Sequence, residues 1–156
     1  MDLQTLLKVA HVVGAAVLLG TGAGIAFFML MAHRARDPAL IAHTASIVVL
    51  ADTVFTASAV VLQPMTGAAL AHLAGYPLLS GWIGLSLVLY VVTGLCWLPV
   101  VWIQLRLRDL ARQAVATGAP LPGQYFRLFR LWFLLGFPAF AAVLGIVWLM
   151  VAKPNL

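Results

Sequence analysis

Four stretches of this chain are too long and too nearly free of charge to fold in water. Residues 9–32 contain no Asp, Glu, Lys or Arg, and apolar runs at about 39–73, 78–103 and 131–152 follow. A helix needs roughly 20 apolar residues to cross the hydrocarbon core of a bilayer, and every run reaches that length. The first run also exceeds the roughly 7 to 15 residues of a signal-peptide core, so it is expected to be retained. With 64% hydrophobic and 8% charged residues and a mean hydropathy of +1.09, the sequence has too little polar surface to cover a soluble domain. Disordered, collagen-like and disulfide-stapled chains are excluded on the same ground, the last because Cys96 is the only cysteine. The expectation is a single integral membrane domain over residues 1–156: an all-α, antiparallel up-down bundle of four transmembrane helices.

The bases give that bundle a direction. Arg34 and Arg36 lie between runs one and two, and Arg106, Arg108, Arg112, Arg127 and Arg130 between runs three and four, seven of the nine bases in all. Short cytoplasmic loops accumulate Lys and Arg, so both loops are expected in the cytoplasm and both termini outside, in the bacterial inner membrane. The basic balance is thus a topology signal, and no nucleic-acid partner is expected. From Gln104 to Thr117, Leu105, Leu107, Leu110, Ala111, Ala114 and Val115 alternate with charged and polar residues. That pattern predicts a cytoplasmic amphipathic extension of the third helix among the lipid headgroups, closed by Gly118. Residues 119–123 read as a stiff linker, and Tyr125, Phe126, Phe129 and Trp132 as an interfacial aromatic belt. The second run is longer than one untilted span needs, which predicts a kink at Pro64 or a short second piece.

Polar residues at depth are the informative ones, because each needs a partner inside the bundle. An Asp at a helix centre costs about 2.5 to 3.5 kcal/mol on insertion scales, and Asp52 lies near the middle of run two. Helical spacing puts Asp52, Thr56, Ala59 and Gln63 on one stripe. Asp52 is either a proton-handling or ligand site, or a carboxyl hydrogen-bonded to Ser, Thr, Tyr or Trp across the bundle. Ser86, Tyr90, Thr93, Trp97 and Gln104 form a matching inward stripe on run three. His11 opens run one, one turn after Lys8. It reads either as an axial ligand to haem iron, with Gly14, Gly20, Gly22 and Gly24 leaving room for a flat macrocycle, or as a hydrogen-bonding partner in close helix packing. His72 falls on the same side as His11 and is the candidate second ligand; His33 and His43 flank the first cytoplasmic turn. Nothing matches a CxxC, HExxH, Gly-x-Ser-x-Gly or P-loop motif, which leaves hydrolase and nucleotidase readings without residues.

Leu7-Lys8-x-x-His11-x-x-Gly14, Arg34-x-Arg36-Asp37-Pro38, Asp52-x-x-Phe55-Thr56, Pro64-x-Thr66-Gly67, Gly81-Trp82 and Arg130-x-Trp132-Phe133 with Pro138 and Lys153-Pro154 punctuate the chain. In these stretches it resembles an uncharacterised bacterial family of predicted integral membrane proteins, domain of unknown function 2269, a likeness that names no activity. Through Lys8-x-x-His11, Gly81-Trp82 and the last span it is more distantly similar to the HemJ-type protoporphyrinogen oxidases, small helical membrane proteins that bind haem b. Where that family carries a His and a Lys after its Gly-Trp, this chain has Ile83, Gly84, Leu85 and Ser86. The leading expectation is a small b-type haem or porphyrin-related redox protein. His11 and His72 would ligate iron, Lys8 would meet a propionate, and Asp52 would handle protons. Two alternatives stand beside it. One is a non-catalytic subunit or scaffold of a homo-oligomer or larger membrane complex. The other is a binding protein for an apolar small molecule or quinone, lined by Asp52, Thr56, Gln63, Ser86, Tyr90, Thr93 and Trp97. Whether any reaction is catalysed stays open.

Overall fold

A computed structural model describes residues 2–79 and 81–155. Four long helices run through them: α1 (Leu3–Ala35), α2 (Pro38–Leu73), α3 (Gly81–Thr117) and α4 (Gly123–Ala152), each long and apolar enough to cross a membrane. Short connections join them, and each helix packs on its sequence neighbour, so the bundle is antiparallel; α4 touches α1 only sparsely. Large apolar side chains such as Phe27, Phe28, Leu50, Leu62, Leu95, Leu134 and Trp148 point outward around the whole girth. A surface of that kind belongs in lipid, because it would form one continuous apolar patch in water.

Local chemistry sets the helix ends. The Asp2 carboxylate caps α1 by accepting from the Thr5 N–H at 2.8 Å, and the Thr5 side chain together with that N–H holds the Asp2 pKa below the ordinary carboxylate value. The cap is therefore complete above the carboxylate range and is lost as pH falls through the lowered pKa. Asp37 caps α2 in the same way through the Ala39 N–H, with Pro38 at the first helical position, where its missing N–H is harmless. α2 and α3 both finish in paired turns. Tyr76 N–H bonds the Ala71 carbonyl beside Gly75 at φ 71°, and Ala119 N–H bonds the Ala114 carbonyl beside Gly118 at φ 64°. Glycine adopts that left-handed conformation without strain.

The second span is one continuous helix that runs through Pro64, with no separate second piece. It contains a widened π-helical turn at Asp52–Thr56, where the Ala57 N–H reaches back to the Asp52 carbonyl. Ile41, Ala45, Val48, Asp52, Thr56, Ala59, Gln63 and Thr66, spaced by three and four residues, all lie on the buried face.

The two ends of the bundle are filled differently. Towards the arginine-bearing connections lies the main core: Ile25, Met29 and Ala32 of α1, Ile41, Ala45 and Val48 of α2, Ile103, Leu107, Leu110 and Ala111 of α3, and Tyr125, Phe129 and Trp132 of α4. The amphipathic extension expected after the third run is present as the last turns of α3, and its apolar face, Leu107, Leu110, Ala111 and Ala114, packs into the bundle, while Val115 is exposed. The aromatic residues expected as an interfacial belt are core instead, with Tyr125, Phe129 and Trp132 all buried. The reason is common to both: α4 starts at Gly123, well before its charge-free run, and α2 starts at Pro38, so both helices extend alongside this part of α3. At 37 residues, α3 is about 55 Å long, far beyond a roughly 30 Å hydrocarbon core. Towards the termini, by contrast, the buried residues are mostly small or polar: Ala59, Gln63, Thr66, Ala71, Ser86 and Ala142, with Ile83 and Leu149.

Among the described glycines, Gly84 makes the tightest approach to other main chain. A Cβ there would stand 2.8 Å from the Leu79 carbonyl oxygen, which belongs to main chain. Gly84→Ala is expected to destabilise the bundle by about 1–3 kcal/mol through forced backbone displacement. The measurement is the thermal midpoint in detergent, and an unchanged midpoint would show that the α2–α3 connection yields freely.

Candidate functional site

α2 carries a polar column on its inward face, and each other helix contributes to it. Asp52, 5% exposed, is in the half of the bundle with the large core. Trp97 of α3 donates its indole N–H to Asp52 Oδ1 at 3.2 Å. The Gln104 carboxamide is oriented by its neighbours, because an oxygen turned towards Asp52 would face acceptors alone. With nitrogen towards the carboxyl, Gln104 donates to Asp52 Oδ2 at 3.0 Å and its oxygen accepts from Trp132 Nε1 at 3.3 Å. Asp52 therefore fastens α2 to α3 directly and to α4 through one amide. Among the described residues no Lys or Arg pairs with it, the single ion pair being Arg108 with Asp109.

A second cluster lies nearer the termini. The Thr66 hydroxyl donates to the carbonyls of its own helix at Leu62 (2.8 Å) and Gln63 (3.2 Å). Its oxygen lies 2.9 Å from His11 Nδ1. Since the Thr66 proton is directed to its own helix, His11 Nδ1 is the donor in this contact, which leaves Nε2 with an unshared electron pair. The ring approaches α2 closely because position 67 is glycine: a Cβ there would stand 3.1 Å from His11 Cε1. Gln63 Nε2 donates to the His11 carbonyl at 3.0 Å, and Gly14 makes room for that amide.

Between the clusters, Tyr90 of α3 donates its hydroxyl to the Val60 carbonyl. The bond follows from sequence. Pro64 sits in α2 four residues after Val60 and has no N–H, so it frees the carbonyl that a helix would otherwise use, and a freed carbonyl in lipid needs another donor. Ser86 and Thr93 bond the carbonyls of their own helix at Trp82 and Leu89, so they face inward without joining the network.

The remaining candidates are distributed as follows. His11 is half-buried, whereas His72 and Lys8 are exposed. His43 is exposed, and His33 is stacked on Phe129 at 3.6 Å and 4° with its Nδ1 3.3 Å from the Tyr125 hydroxyl. Among the described residues no group of three or more His, Cys, Asp or Glu converges as a metal cage would. Sequence reasoning missed Thr66, although it continues the Asp52–Thr56–Ala59–Gln63 stripe by one further step. It also missed Trp132, whose aromatic, arginine-flanked setting is the same for an interfacial anchor and for a core donor.

The fold and its lipid-facing surface define an integral membrane protein built as one four-helix bundle. Residues 5–154 match the family described as predicted integral membrane protein (DUF2269), and the chain belongs to that family. No curated protein and no solved structure matches it.

Tyr90→Phe should destabilise the bundle by about 1 kcal/mol, the scale of a hydrogen bond between membrane helices. Pro64→Ala should suppress most of that loss, because an alanine there brings its own N–H to the Val60 carbonyl. A double-mutant cycle on unfolding free energy checks this; simple additivity would show that Tyr90 does not serve the Val60 carbonyl. Asp52→Ala leaves the Trp97 and Gln104 donors unpaired and should lose about 2–4 kcal/mol, read from the same unfolding measurement.

Proposed function

We propose that the protein is a small b-type haem or porphyrin-linked redox protein of the bacterial inner membrane, its termini on the outer side. The observation that carries the reading is the posture of His11. One imidazole nitrogen is fixed by Thr66, so the other is free to ligate in a known orientation, the arrangement that second-shell partners give to metal-bound histidines. The donor chemistry fits haem iron: a neutral imidazole, half-buried, at the loosely filled end of the bundle. His11 would hold the iron, exposed His72 is the candidate second ligand, and exposed Lys8 would pair with a propionate. Haem, when bound, supplies one-electron chemistry. The chain's own part is to orient the imidazole through Thr66, to keep that ring against Gly67, and to carry a proton at Asp52. The distant likeness to HemJ-type proteins points the same way.

The test is a visible spectrum of protein purified in mild detergent and titrated with haem. A Soret band with the paired bands of a low-spin b-type centre is expected. Thr66→Val, which removes the anchor and keeps the shape, should weaken haem binding about 10- to 100-fold. A protein that stays colourless after haem supplementation ends this reading.

A second reading has its own observation. Ala16, Gly20 and Gly24 follow one another at four-residue intervals on α1. A Cβ at Gly20 would meet nothing, and one at Gly24 would meet only Phe28 of the same helix. With Val13, Val17, Thr21 and Phe55, Ala16 and Gly20 border an open apolar groove of about 470 Å³. Small residues at this spacing let helices approach closely in lipid, which favours a subunit that packs against a second copy or a larger complex. Gly20→Ile should then change the assembly's mass by light scattering while leaving any haem spectrum intact; an unchanged mass removes this reading.

A further inference from the structure

Two polar atoms inside the bundle have no hydrogen-bond partner among the described residues, Thr56 Oγ1 and Gln63 Oε1. Both side chains are more than nine-tenths buried, at 8% exposure each. Nearly every buried polar atom in a folded protein is paired, to bound water where the protein offers nothing. Gln63 is held by the bond from its Nε2 to the His11 carbonyl, which aims Oε1 into the interior. The Thr56 hydroxyl reaches towards the Asp52 carboxyl without meeting it in hydrogen-bond geometry.

Their placement is ordered. Asp52, Thr56, Gln63 and Thr66 follow one another along the buried face of α2, rising from mid-helix to the His11 cluster. Seven residues of helix separate Thr56 from Gln63, about 10 Å, a distance that a short file of waters would bridge. In the opposite direction Asp52 meets a different boundary. Trp97 and Trp132 offer indole N–H groups that donate and do not relay, the Gln104 amide is used on both sides, and Val48, Ile103, Leu107 and Phe129 fill the space beyond. On α3 the Tyr90 hydroxyl is committed to Val60.

We propose that waters held by Thr56 and Gln63 form a proton path joining the Asp52 carboxyl to the surface near His11, and that Asp52 exchanges protons with that side of the membrane alone. Each proton arriving along the file replaces one that leaves the carboxyl by the same file, so no net charge remains in the bilayer. This rests on the proton-handling reading of Asp52 and is independent of haem.

The full chain in lipid nanodiscs, followed by infrared spectroscopy after a switch from H₂O to D₂O, tests the path. The carboxyl C=O stretch belonging to Asp52 is the band absent from Asp52→Asn. In the wild type this band should shift promptly on the switch. In Thr56→Val and in Gln63→Leu it should shift roughly tenfold or more slowly, with helix content unchanged by circular dichroism. Thr56→Ser, which restores a hydroxyl, should recover the wild-type rate, and Ser86→Ala, whose hydroxyl serves its own helix, should not alter it. Wild-type rates in both Thr56→Val and Gln63→Leu would overturn the path while leaving the Asp52 proton in place. Absence of any Asp52 carboxyl band across the accessible pH range would overturn the proton-handling reading itself.

Discussion

Inside a bilayer, every polar group must be satisfied by the protein itself or by something the protein holds. In this bundle that demand falls mainly on α2. It contains Pro64, which frees a carbonyl, Asp52, which cannot face acyl chains, and the stripe of Thr56, Gln63 and Thr66. The answers come from three directions: Tyr90, Trp97 and Gln104 from α3, Trp132 from α4, and His11 from α1. Without α2's demands, four apolar helices would have little to fix their rotation, because lipid tails are as apolar as leucine. The polar contacts therefore set register and facing, and apolar packing fills the space that they define.

The filling is uneven. At the end bearing the arginine connections, aromatic and branched side chains interlock, and His33 stacks on Phe129 to bring α1 against α4. At the other end, alanines, serine, threonine and an amide occupy the interior, and His11 rests against bare backbone at Gly67. The polar column passes from the tight half into the loose half. That arrangement isolates Asp52 from one aqueous phase and leaves the His11 end the more accessible one.

Much of the fold was legible from sequence because lipid simplifies the reading. Uninterrupted apolar runs gave four spans, and residues such as Tyr90, Trp97 and Gln104 recur on an arc that can only be an inward face. A Trp was among the partners expected for Asp52, and hydrogen bonding was one of two readings of His11; both partnerships are present in the structure. The helix ends were less legible. The runs opening α1 and α4 were bounded by Lys8 and Arg130, yet both helices begin before those charges, at Leu3 and Gly123, whereas the continuation of α3 past Arg106, Arg108 and Arg112 to Thr117 was legible in its amphipathic pattern. The aromatic residues opening α4 were read as a belt because apolar bulk beside arginine has the same composition in a belt as in a core. The π-helical turn was also out of reach, since a one-residue change of phase inside a continuous apolar run leaves no mark in periodicity.

The stacked rings around His33 have a mechanical consequence. A bundle filled with large side chains at one end and mostly with small or polar ones at the other should open like a pair of tweezers, hinged where the aromatics meet and widest towards the tips that bear Lys8 and Lys153. Separating the hinge would expose interlocked rings to lipid, whereas parting the tips disturbs little more than methyl groups and small polar contacts. The amplitude of thermal breathing should accordingly grow along the helix axes, checked between α1 and α2 where Thr66 and Gln63 hold His11.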